Sequence, residues 1–108
     1  MTPVLKEIAA ERLRQILDEG WTAEHDDGHH NEGSLSAAAS AYALHAYETL
    51  NPFRTPAPHP PGMWPFDEDW WKPKDPRRDL IRAAATIVAE IERLDRAAAR
   101  KKEPIPDP

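Results

Sequence analysis

Two stretches of this chain carry side chains able to do chemistry. The first is His25-Asp26-Asp27-Gly28-His29-His30-Asn31-Glu32. Imidazoles and carboxylates are the ligands a divalent metal uses, and an imidazole can also hydrogen-bond a ribose or a base edge. Four ligands crowded into eight loop residues converge only in a particular turn, and Asp, Asn and Gly also gather wherever a chain turns. The sequence therefore assigns no metal ligand and no cofactor here, and reads His25, Asp26 and Asp27 as contacts to the polar edge of a ligand.

The second stretch is GMWPFDEDWWKPKDPRRD, residues 62–79, with Trp64, Trp70 and Trp71 interleaved with prolines and followed by basic residues. Aromatic rings of this size can pin a connector that lacks backbone pairing, and they can equally stack on a nucleobase. Trp70 and Trp71 are adjacent, so they are not expected to face the core together. Lys72, Lys74, Arg77, Arg78 and Arg82 surround the start of a predicted helix, where unpaired N–H groups and the helix dipole favour an anion. Trp21 and one of Trp70 or Trp71 are read as stacking rings, and Lys74, Arg77 and Arg78 as phosphate contacts.

Several enzyme patterns fail. A His-Asp metal phosphohydrolase needs a histidine upstream of the pair, and His25 is the first in the chain. The all-α nucleotide pyrophosphohydrolases carry a Glu-Glu-x-x-Glu cluster, and no Glu-Glu occurs. Glu7 with Glu11, and Glu92 with Asp95, are read as solvent-facing charge. No phosphate-cradling Gly loop and no serine nucleophile motif is present.

The elements that must position these residues are helical. Val4, Leu5, Ile8, Ala9, Leu13, Ile16 and Leu17 recur at amphipathic spacing and predict a helix over 3–19, with Thr2 as N-cap and Gly20 as a left-handed stop. Residues 22–33 are polar and read as a loop. The alanine-rich run 34–50 predicts a second helix, closed by Asn51 and Pro52. Six prolines between 52 and 65 exclude helix interior and central strand. Asp75 as N-cap, Pro76 at the first position and a stripe from Leu80 to Leu94 predict a third helix over 76–99. The expected fold is all-α: a small three-helix domain over 1–100, a long proline-rich, tryptophan-containing connector at 51–75 between the second and third helices, and a disordered tail at 101–108.

Composition narrows the classes. With 108 residues the chain is one domain, small enough that self-association would add useful buried surface. No cysteine is present, which excludes thiol chemistry and fits a reducing cytoplasm. The first twenty residues are charged throughout, unlike a signal peptide, and no apolar run suits a bilayer. A net charge of −5 argues against a duplex-DNA binder.

ERLRQILDEGWTAEHDDGHHNEGSL together with WPFDEDWWKPKDPRRDLIRAAATIVAEIERLDR resembles a family of short phage and prophage proteins met beside or fused to nucleotide-metabolising domains. A more distant similarity is to the ryanodine receptor repeat domain, a helical module that in some contexts binds adenine nucleotides. Arg14, Gly20-Trp21, Asp26, Asp27 and Lys74 to Asp79 match its pattern, with a longer Arg to Gly-Trp spacing and without its His-Pro. These resemblances imply a non-enzymatic, homo-oligomeric nucleotide binder in the host cytoplasm, a sponge for the nucleotide second messengers of bacterial defence. The alternatives are a metal-dependent nucleotide (pyro)phosphohydrolase using Glu7, Glu11, His25, Asp26 or Asp27, and a module whose tryptophans dock on a host protein.

Overall fold

The computed structural model describes residues 1–102. Four α-helices follow one another: α1 (Pro3–Asp18), α2 (Ala23–His29), α3 (Ser34–Leu50) and α4 (Pro76–Lys102), with a 3-10 turn at Glu68–Trp70 inside the connector. No strand occurs among the described residues. The fold is all-α, but the three-helix expectation is corrected to four. The additional helix is α2, which lies within residues 22–33, where the sequence predicts a loop.

Local chemistry explains α2. Thr22 adopts extended backbone and its Oγ1 accepts the His25 N–H at 3.2 Å, while Glu24 and Asp26 place negative charge in the first turn. Its buried residue is Asp26, not an apolar side chain, so hydrophobic periodicity has nothing to detect. Gly20 has φ 72°, the left-handed value that ends α1, and the Trp21 N–H then donates to the Gln15 carbonyl at 3.0 Å. The helix α4 starts at an Asp75 cap that accepts the Arg78 N–H at 2.9 Å. It continues to Lys102, beyond the predicted end at 99. The expected tail disorder falls, from residue 103 on, outside the described residues.

The core lies between α3 and α4, which run antiparallel: His45 meets Asp79 at one end and Ser36 meets Glu90 at the other. It is built largely of alanine, with Ala38, Ala41, Ala85 and Ala89 at or below 1% exposure and Leu35 and Ile81 as the large members. Small side chains let two backbones approach closely. The cost is little buried area per residue.

The helix α1 packs on α4 through its polar face. Glu11, Arg12 and Gln15 are buried, whereas Leu13 and Leu17 are 54% and 71% exposed. Gln15 Nε2–H donates to Thr86 Oγ1 at 3.1 Å, and Arg12 Nε–H donates to Glu92 at 2.8 Å. Glu11 accepts from Arg14 and Arg78, which corrects its reading as solvent-facing charge. No described helix is long and apolar enough to cross a membrane.

Candidate metal centre and aromatic pocket

The helix α2 turns Asp26 and His30 onto one face, four residues apart, and His25 precedes Asp26 on the same turn. Their ligand atoms lie within 4.8 Å of one another. Asp26 is fully buried and His30 is 5% exposed. Asp26 Oδ1 stands 3.4 Å from His25 Nδ1 and 3.8 Å from His30 Nε2. Among the described residues, neither Asp26 Oδ2 nor His30 Nε2 has a hydrogen-bond partner. A buried polar atom left unpaired is costly; Oδ2 is answered by the Arg12 guanidinium, whereas His30 Nε2, facing Asp26 Oδ1, marks a place for a cation.

The surroundings prepare the imidazole for that task. His30 Nδ1 is 3.0 Å from Ser34 Oγ, at the start of α3. In the tautomer where Nδ1–H donates to that hydroxyl, Nε2 presents a bare lone pair toward Asp26. Burial holds the His30 pKa below its ordinary value; Asp26 opposes this and the neighbouring His25 and His29 reinforce it. The ring is therefore neutral and competent to ligate. Arg12 approaches Asp26 Oδ2 at 3.5 Å from the side of α1, where it also bonds Glu92 and the Trp21 carbonyl. This compensates the buried carboxylate and leaves Oδ1 as the oxygen facing both imidazoles.

Two imidazoles and one carboxylate, with coordination positions left over, suit Zn²⁺, Mn²⁺ or Fe²⁺ better than the oxygen-seeking Mg²⁺. The cluster can coordinate such a metal.

His25 and His30 also line a pocket of about 400 Å³. Its wall is aromatic: Trp21, Tyr42, Trp64, Phe66 and Trp70, with the carboxylates of Glu19 and Asp67 at its margin. His30 meets Trp21 and Phe66 edge-on at 5.3 and 5.4 Å, which joins the cluster to the wall. The wall is held by α3. Trp71 stacks on Tyr42 at 5.2 Å, Trp64 packs edge-on against both, and Arg82 lies over the Tyr42 ring at 5.6 Å while donating to the Lys72 carbonyl. Burial raises the Tyr42 pKa, so the phenol stays neutral. Among the described residues, no lysine or arginine lines the pocket.

The residues expected to bind a ligand thus separate into groups. Trp21, His25 and Trp70 line the pocket, Asp26 sits behind it, and Trp71 is the inner ring of its pair while Trp70 is 64% exposed. Asp27 faces α4, where it accepts from Arg96 and Arg100 and fastens α2 to that helix. Arg77 makes a two-pronged pair with Glu7 at 2.7 Å and Arg78 pairs with Glu11. Lys74 contributes its backbone N–H to Asp79 at 2.7 Å. Arg77 and Arg78 are thereby engaged by α1, and neither they nor Lys74 line the pocket.

His30, Ser34, Arg12 and Glu19 carry roles that the sequence reading did not assign. The Asp26 to His30 spacing of one helical turn was the available signal, and it becomes visible once Thr22 is recognised as a cap. No family model, no curated protein and no solved structure matches the chain, so the chemistry of this site rests on its own geometry.

Proposed function

We propose that this protein is a metal-dependent hydrolase of nucleotide phosphoanhydrides. The observation that carries the reading is the convergence of His25, Asp26 and His30, with the buried His30 Nε2 unpartnered among the described residues, at the wall of an aromatic pocket large enough for a base. A nucleotide needs both features. Trp21, Trp64, Phe66 and Trp70 offer faces and edges for the base. Among the described residues no lysine or arginine lines the pocket, so a metal held by the cluster would be the group that meets the anionic end of the substrate. When bound there, the metal supplies a Lewis acid for phosphate oxygens and lowers the pKa of a coordinated water. Glu19 and Asp67, which line the same pocket, are the carboxylates that would be available there to accept a proton.

A binder without turnover, the sponge, is the second reading. It is favoured by the completeness of the aromatic wall, which needs no metal to stack a base.

One experiment separates them. Chelator-stripped protein is titrated calorimetrically with Zn²⁺ and Mn²⁺, then incubated with a panel of nucleoside di- and triphosphates and cyclic dinucleotides, and the products are chromatographed. The expected result is one metal site per chain, lost in Asp26→Asn and weakened at least tenfold in His25→Ala, with nucleotide products that disappear on chelation. His25 is partly exposed, so its variant tests ligation without loss of the fold. A nucleotide retained and returned intact with or without metal overturns hydrolysis in favour of the binder. Absence of metal uptake by folded protein overturns the metal centre.

A further inference from the structure

The large aliphatic side chains of α4 lie mostly outside the fold. Leu80, Ile87, Val88, Ile91 and Leu94 are 38–52% exposed. Leu80, Ala84, Ile87, Ile91 and Leu94 follow one another at alternating intervals of four and three residues, the spacing of a helix seam that pairs with another helix. This ridge is about 21 Å long at 1.5 Å per residue. Beside it, on α3, Ser36, Ala39, Ser40 and Ala43 form a trough of small side chains, and ridge and trough together border a groove of about 400 Å³. Glu90 is buried at its floor and is satisfied by Ser36 and Arg93, so no unpaired charge interrupts the surface.

We infer that this face binds a second copy of the chain about a two-fold axis, the Ile87/Ile91/Leu94 ridge of each copy lying in the small-residue trough of the other. The face supplies both halves of the contact, ridge and trough side by side, which is what an isologous interface requires. Leu80, Ile87, Ile91 and Leu94, with Tyr47 and Leu50 of α3, are each 45–65% exposed, a continuous set of large apolar side chains of the kind a specific interface buries. The chain carries a net charge of −5 and would repel its own copy over most surfaces, but the carboxylate that lines this groove, Glu90, is buried and paired with Arg93.

Sedimentation equilibrium at micromolar concentration tests the inference. Twice the chain mass is expected for the native protein, and the chain mass for Ile87→Glu/Ile91→Glu, with circular dichroism confirming that helix content is kept. Leu13→Glu/Leu17→Glu, on the exposed side of α1, should stay dimeric. Because the chain has no cysteine, mixing Ser40→Cys protein with Ile91→Cys protein under mild oxidation should give a disulfide-linked pair of chains. A native monomer at 100 µM loading, or a dimer that survives the α4 double change and is split by the α1 one, would overturn the assignment.

Discussion

Glu11 lies where α1 meets α4, with 1% of its side chain exposed and two arginines on it. Burial alone would raise its pKa, but the hydrogen bonds from Arg14 and Arg78 outweigh that and hold the carboxyl below its ordinary value of 4.5. A depressed folded pKa means that the unfolded chain takes up the proton first. The stability contributed by this pairing is thus fully present above about pH 4.5 and is lost as the pH falls through the lower folded value. Glu11→Gln keeps the shape and removes the charge, and should cost about 2 kcal/mol at neutral pH, within the range for hydrogen bonds to charged groups. Urea titrations of both proteins from pH 7 to pH 3 check this: the gap between them should close in acid. A gap constant down to pH 3 would show that Glu11 is not held ionised by its arginines.

At the scale of elements, α2 is the most vulnerable part of the site. It has seven residues, far below the length at which a helix is stable alone, and contains Gly28. It is held by the Thr22 cap at one end and by Asp27 on Arg96 and Arg100 at the other. Thr22→Ala should destabilise the protein by about 1 kcal/mol. It should also weaken Zn²⁺ uptake, since Asp26 and His30 share a face only while the turn is formed; unaltered uptake would mean the cluster is fixed without the helix. The three long helices were legible from periodicity, caps and the Gly20 stop because each obeys a local rule. The helix α2 was not, because what it buries is an aspartate answered by Arg12, a residue of another helix. The same limit hid the polar face of α1. Its leucines have helical spacing, and nothing local says that Glu11, Arg12 and Gln15 will be the side turned inward. In the connector, the pinning role of Trp64, Phe66 and Trp71 could be read from ring size and proline density. The convergence of Trp21 and His30 with those rings depends on how α2 docks.

At the scale of the whole molecule, the distribution of tryptophan has a consequence for how the protein can be watched. All four tryptophans belong to one cluster: Trp21, Trp64 and Trp70 line the pocket, and Trp71 touches Trp64 at a ring separation of 4.9 Å. Trp71 also packs on Tyr42 and His45 of α3. Intrinsic emission excited at the indole band is therefore a signal of the pocket and of its seat on α3. A stacked nucleotide should quench it, and an emission spectrum unchanged across the nucleotide panel would place binding elsewhere. During denaturation the same light follows the departure of the connector while far-ultraviolet dichroism follows the helices. The chain carries its own optical probe at the place where its chemistry is proposed to occur, and a variant's folding and its ligand response can be read in one cuvette without a label.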